Sequence, residues 1–240
     1  MNVTKQNIPL EATQEHISLR NYMRDVILGT NDGLVSIFAL VLGVAGSGFT
    51  PKQVFIAGLA GTIAGAISMA LGEFMSTKSQ EQVYDSEKAL ETLHITHDFD
   101  REKDEIYDMY RKKGFEGNLL DEIVQVICSD HERMLEEMMI NEFGVLESQR
   151  RSPMVAAIFS GFSFLLGSLP AFIPFLLVST TRDGVILSGI LSSVALFIVG
   201  FIKAIITRYD RFLLGFENFL FGLMGGIVTY TIGLLVGSNV

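Results

Sequence analysis

Long apolar stretches alternate with short polar ones along this chain, and one polar block near its middle is far longer than the rest. Crossing about 30 Å of hydrocarbon takes roughly 20 helical residues. Five stretches reach that length, at about 25–47, 53–75, 153–178, 184–206 and 212–238. Asp32 interrupts the first, and Glu217 interrupts the last near its start. Each is predicted to be a membrane-spanning helix, because in lipid a helix satisfies its own backbone polar groups. The third carries Pro170 and Pro174, which predict a kink. Gly222, Gly225, Gly226, Gly233 and Gly237 predict close packing of the fifth.

The polar block, residues 78–151, has helical rather than alternating periodicity. In "DREKDEIYDMYRKKG" Asp98 or Asp100 can cap a helix that presents Ile106, Met109 and Tyr110 on one face and stops at Gly114. A second helix is expected from Asn118, with Leu119, Ile123, Val126 and Ile127 on its apolar face. A third, in "HERMLEEMMINEFGVLESQRRSP", presents Met134, Leu135, Met138 and Met139 and ends before Pro153. With no Pro or Gly between Gly72 and Gly114, the second span can continue unbroken into this block. The expected fold is therefore all-α: a polytopic membrane protein of five transmembrane helices carrying a small three-helix unit. Its segments are 1–24, an N-terminal stretch; 25–77, spans one and two; 78–151, the polar unit; and 152–240, spans three to five.

Composition and charge add sidedness. A content of 49% hydrophobic residues and a mean hydropathy of +0.39 exceed what a soluble domain carries, yet 19% of residues are charged. That charge is segregated. The 78–151 block holds 19 acids against 10 bases, the remainder eight of each, so the whole net charge of −9 lies in the block. Arg20, Arg24, the bases of the block, Lys203, Arg208 and Arg211 fall on one side of the expected membrane, and only Lys52 and Arg182 on the other. The positive-inside rule puts the N-terminus and the acidic block in the cytosol and the C-terminus on the opposite side. The host membrane stays open between plasma membrane and organelle. The polar residues 1–24 are not expected to act as a cleavable leader, and the lone Cys128 is compatible with a reducing compartment.

Chemistry enters with the charges that lie in lipid. A carboxylate at a span's centre costs about 2.5–3.5 kcal/mol. Asp32 is about 10 Å beyond the interfacial Arg24 and Asp25, two helical turns, a depth that favours function over an interfacial pairing with Arg24 or Arg20. Ser36, Leu40 and Gly43 continue its face. In the second span Gly58, Gly61, Gly65, Ser68 and Gly72 form a small-residue seam. Met69 and Glu73 stand one turn apart beside it. Carboxylates alone suit Mg²⁺, Ca²⁺ or Mn²⁺, and a thioether shifts preference toward Fe²⁺. In the acidic block Glu102 and Glu105, and Glu91 and His94, have i, i+3 spacing and can share an ion. The alternative is a solvated face neutralised by Lys88, Arg101 and Lys103. His97 and His131 read as surface residues, and Glu217 is open between pairing with Arg208 or Arg211 and a place in the path.

The strings "RDVILGTNDGLVSIFALVLGVAG", "AGLAGTIAGAISMALGEFMSTKSQ" and "YDSEKALE" resemble the vacuolar iron transporter family. The resemblance is close over the first two spans, follows pattern through the acidic block and mainly topology thereafter. It implies five spans per subunit, a homodimer enclosing a metal path, and export of Fe²⁺ from the cytosol against inward proton movement. It implies transport-path roles for Asp32, Met69 and Glu73, and cytosolic metal-binding roles for Glu91, Glu102, Glu105, Glu142, Met138 and Met139. Where the family's metal-binding domain carries a further glutamate, this chain has His94. The expected cargo is Fe²⁺, with Mn²⁺ or Zn²⁺ as alternatives; the other expected partners are protons, the bilayer and a second copy, with no nucleic acid, prosthetic group or catalytic residue. Two other classes compete: a membrane-anchored metal sensor, and a ferritin-like di-iron enzyme. The latter needs two Glu-x-x-His elements, and only Glu91-x-x-His94 is present. Nothing resembles a phosphate-binding glycine loop, so the ATPase reading has no support.

Overall fold

The computed structural model describes residues 10–144, 150–207 and 209–238, with side chains from 22 onward except at 143 and 206. Among the described residues all regular structure is helical: α1 (Leu10–Gly46), α2 (Pro51–His97), α3 (Phe99–Lys112), α4 (Gly117–Cys128), α5 (His131–Phe143), α6 (Pro153–Phe172), α7 (Pro174–Leu177), α8 (Thr181–Thr207) and α9 (Arg211–Gly237). Five of them, α1, α2, α6, α8 and α9, are long and apolar enough to cross a membrane. The chain divides into two compact units, Met1–Met75 with Pro153–Val240, and Ser76–Ser152. The helix α2 is continuous from Pro51 to His97; no residue between Gly72 and Gly114 relieves its hydrogen-bond ladder.

In the first unit α1 packs against α6, α8 and α9. Its face of Ile37, Phe38, Val41, Leu42 and Ala45 forms a core with Phe164, Ala171 and Phe172 of α6, Phe175 of α7, and Val54 and Ala66 of α2. The third apolar stretch is not one helix. It ends as α6 at Phe172 and restarts as α7 with Pro174 at its first position, because a proline offers no N–H to the preceding turn. The carbonyl of Ala171, near that break, accepts from the Ser188 hydroxyl of α8 at 2.6 Å.

At the α2 seam the one close backbone approach among the described glycines is from Gly161 of α6 to the Ala66 carbonyl, and closer ones occur elsewhere. A Cβ at Gly58, Gly61 or Gly65 would meet side chains of α1 and α6, and none at Gly72 would meet anything within 4 Å. Backbone meets backbone instead where Gly33 of α1 crosses the Phe164 carbonyl of α6, where Gly167 meets the Thr30 carbonyl, and where Gly233 of α9 meets Gly43. Gly29 and Gly33, four residues apart, are the small pair that lets α1 and α6 touch.

The second unit has its own core of Ile95, Ile106, Leu120, Val124, Ile127, Met134 and Met138. The C-terminal part of α2 thus contributes alongside α3, α4 and α5. The face of α4 is rotated from the expected one: Leu120, Val124 and Ile127 are buried, while Leu119 and Val126 are exposed. The helix starts at Gly117 rather than Asn118, which shifts nothing; the packing partners select the Leu120 stripe. Asp98 precedes α3 without a side-chain cap bond. Asp130 caps α5, its carboxylate accepting from the N–H groups of Glu132 at 2.9 Å and Arg133 at 3.3 Å. Gly144, at φ 65°, ends α5 and donates to the Ile140 carbonyl. The expected extension of α5 toward Pro153 therefore stops at Phe143, and residues 145–149 lie outside the described ones. Arg150 donates to Glu81 at 2.6 Å and Asp85 at 3.0 Å, tying the unit's last residues to α2.

Candidate metal-handling site

The expected site residues fall in two places, and each belongs to one unit. In the first, Asp32 lies on the exposed face of α1 with Ser36 and Leu40, opposite the face that buries Gly33, Leu34, Ile37 and Phe38. Its backbone carbonyl accepts from the Ser36 hydroxyl at 2.6 Å. Among the described residues its carboxylate has neither a hydrogen-bond nor an ion-pair partner. Arg24, the interfacial base considered for it, instead approaches Asp25 at 3.6 Å and Glu73 at 3.7 Å. The Arg20 side chain lies outside the described residues. Met69 is half-buried against the α1–α6 core. Asp32, Met69 and Glu73 thus have different surroundings: an open helix face, the α1–α6 core and Arg24.

Asp25 is the residue that sequence reasoning passed over. Its position marks it as interfacial, yet it is wholly buried. The signal was its spacing: Asp25, Gly29 and Gly33 recur every fourth residue on the face that α6 covers. Glu217 is exposed on α9, and Arg208 lies outside the described residues.

The second gathering is in the other unit. Glu91 on α2 and Glu102 on α3 are 3% and 2% exposed, unusual for carboxylates. His94 sits at the rim, its Nδ1 3.6 Å from Glu91 and 4.0 Å from Glu102. One oxygen of each glutamate, Oε1 of Glu91 and Oε2 of Glu102, is buried with no hydrogen-bond partner. Burial, then repulsion from Glu102 and Glu142, pushes the Glu91 carboxyl from 4.5 up to about 7. Burial and the Glu105 charge raise Glu102 as well, and Glu91 is close enough to hydrogen-bond it, so the two can share a proton. Glu142 on α5 is raised by burial, by the charge of Glu105 and by a hydrogen bond between the two. Four glutamates from α2, α3 and α5 therefore sense one another across a common space.

Of the bases considered as neutralising partners, Arg101 acts at its edge. Arg101 donates to Glu105 at 3.2 Å, a pair on the helix surface, while Glu102, three residues before Glu105, faces inward. Met138 packs in the apolar core with Met134 and Ile106, and Met139 lines a groove beside Tyr84 and Arg150. His97 bonds the Leu93 carbonyl, and His131 stacks on Phe99. As the side chains stand, no three His, Cys, Asp or Glu among the described residues converge closely enough to hold one ion. Charged glutamates repel one another, and a divalent cation would have to draw a third ligand into reach of the pairs that already touch. Hard carboxylate oxygens with one imidazole suit Fe²⁺, Mn²⁺ or Zn²⁺.

The model of the VIT family matches residues 23–234. The chain is 28% identical to "Vacuolar iron transporter 1" of Arabidopsis thaliana over 97% of its length and 93% of the relative's. It is 30% identical to "Vacuolar iron transporter 1" of Oryza sativa subsp. japonica over 90% and 86%. It is 26% identical to the "Vacuolar iron transporter" of Plasmodium falciparum over 95% and 86%.

Proposed function

The chain belongs to the VIT family, and from that premise we propose that it is a multi-pass secondary transporter that moves Fe²⁺ out of the cytosol in exchange for protons, with Mn²⁺ as an alternative cargo. The observation that carries the reading is the buried pair Glu91 and Glu102, each with an orphaned oxygen and with His94 at their rim. Leaving buried carboxylates partly unsatisfied is costly unless a cation completes the site. Rotation of the Glu91, Glu102, Glu105 and Glu142 side chains around the ion, with His94 closing the open side, would supply that completion. Met138 and Met139 serve this capture step as the packing behind α5.

From the cytosolic unit the ion passes to the membrane path, where Asp32 on the open face of α1 meets a second copy of the chain in a homodimer, with Met69 and Glu73 lining the way. Among the described residues the Asp32 carboxylate has no counter-charge, which supports a cation or a partner subunit at that face. A carboxylate that has released its metal can take a proton from the far side, and that exchange is the coupling. Family membership weighs against the di-iron enzyme, and a carboxylate placed within a span weighs against a sensor that moves nothing.

Proteoliposomes with a transmembrane pH gradient test this. Fe²⁺ flux that requires the gradient and is lost in Asp32→Asn, while Mn²⁺ binding by the cytosolic unit persists, is the expected result. Gradient-independent flux, or wild-type flux in Asp32→Asn, would overturn it.

A further inference from the structure

A groove of 1410 Å³ opens between α1, α8 and α9 at the end of the membrane unit where α1 enters and α8 leaves. Its apolar lining includes Ile27 and Leu28 of α1 and Val199 of α8, and three uncharged polar side chains stand there too: Asn31, Asn218 and Thr207, whose hydroxyl donates to the Lys203 carbonyl at 3.0 Å. The Asn218 amide donates to the Leu196 carbonyl at 2.9 Å and is satisfied. Asn31 is not; its Oδ1 is buried with no partner. Arg24 and Lys203 stand at the lining. Arg24 is engaged by Asp25 and Glu73, whereas Lys203 makes no ion pair among the described residues. Glu217 neighbours Asn218 in sequence but is not among the residues lining the groove.

We propose that this groove holds one anionic phospholipid per protomer, its phosphate on Lys203 and its chains along the Ile27, Leu28 and Val199 walls. The charge is complementary: a basic side chain at a membrane surface attracts anionic headgroups, and a divalent cation would be repelled from a place lined by Arg24 and Lys203. The form is complementary too. A free phosphate has no use for the apolar surfaces of α1 and α8, whereas a lipid covers them and brings donors, from glycerol or an amine, within reach of the Asn31 oxygen. Asn31 directly precedes Asp32 on α1, so a seated lipid would brace the turn that carries the path carboxylate.

The test is native mass spectrometry of the full-length chain released from detergent after titration with phosphatidylserine or phosphatidylcholine. One phosphatidylserine per protomer should be retained about five-fold more tightly than phosphatidylcholine, the worth of one basic residue at an anionic surface. Lys203→Gln should remove that preference and Lys203→Arg keep it. Val199→Phe, which fills the groove, should weaken retention of both lipids. If Lys203→Gln loses its helical circular dichroism, the Lys203→Arg and Val199→Phe results decide instead. Glycerophosphoserine, the headgroup without chains, should not displace the bound lipid at equal concentration. Equal retention of the two lipids, or a preference that survives Lys203→Gln, overturns the proposal. Displacement by glycerophosphoserine overturns it in favour of a pocket for soluble phosphates.

Discussion

Replacing Glu91 with Gln keeps the shape of the side chain and a hydrogen bond to Glu102 while removing the charge that the fold resists. A carboxyl raised from 4.5 to about 7 in the folded state holds its proton where the unfolded chain has released it. The folded state then binds more protons, so stability falls as pH rises from about 4.5 through 7 and stays low above. At 1.36 kcal/mol per tenfold change in proton affinity, the full penalty at pH 8 is about 3 kcal/mol. The half-exposed His94 rim admits solvent that reduces it, leaving on the order of 1–3 kcal/mol. The metal-free Glu91→Gln chain should therefore melt higher than wild type at pH 8, by roughly 4 °C or more for a unit this small. The two should converge near pH 4.5. Scanning calorimetry of the full chain in detergent reads both, with amide hydrogen exchange locating the change to residues 76–152. Added Mn²⁺ should reverse the order at pH 8, because the cation relieves the repulsion only where the glutamate remains. A Glu91→Gln chain that is less stable than wild type by the same amount at every pH would refute the reasoning, since the charge would then not be the strained element.

Gly33→Ala drives a methyl group into the Phe164 backbone of α6, where no flexible side chain can yield. It should destabilise the membrane unit by about 1–3 kcal/mol, seen as a lower melting temperature in detergent, whereas Gly72→Ala, with open space around it, should be neutral. Asp130→Ala removes both cap hydrogen bonds of α5 and should cost about 1 kcal/mol; faster amide exchange in the first turn of α5, with α8 and α9 unchanged, is the signature.

Five membrane-crossing helices, the acidic block between the second and the third, and the unbroken run of α2 were legible along the chain. Each depends on local quantities: the length of an uncharged run, the sum of charges, the absence of a helix breaker. An interruption in the third span was legible for the same reason, but as a kink at Pro170 and Pro174; Pro170 stays inside α6, and the helix ends and restarts at Pro174. Faces were another matter. Leu119 and Val126 suit an apolar stripe as well as Leu120 and Val124 do, and the helices that cover α4 select between them. The small residues of α2 read as a helix-packing seam, yet closer backbone contact is made by Gly29 and Gly33, because Ser160 and Phe164 of α6, each 131 residues further along, meet α1 there. The i, i+3 spacings of Glu91 with His94 and of Glu102 with Glu105 were visible, but spacing says only that two side chains share one helix. That Glu91 and Glu102 are buried near each other, with the half-exposed His94 at their rim and Glu105 between Arg101 and Glu142, follows from how α2, α3 and α5 pack. Burial, and with it the proton affinity of a carboxylate, is set by atoms from distant parts of the chain, and only the tertiary structure brings those atoms within range.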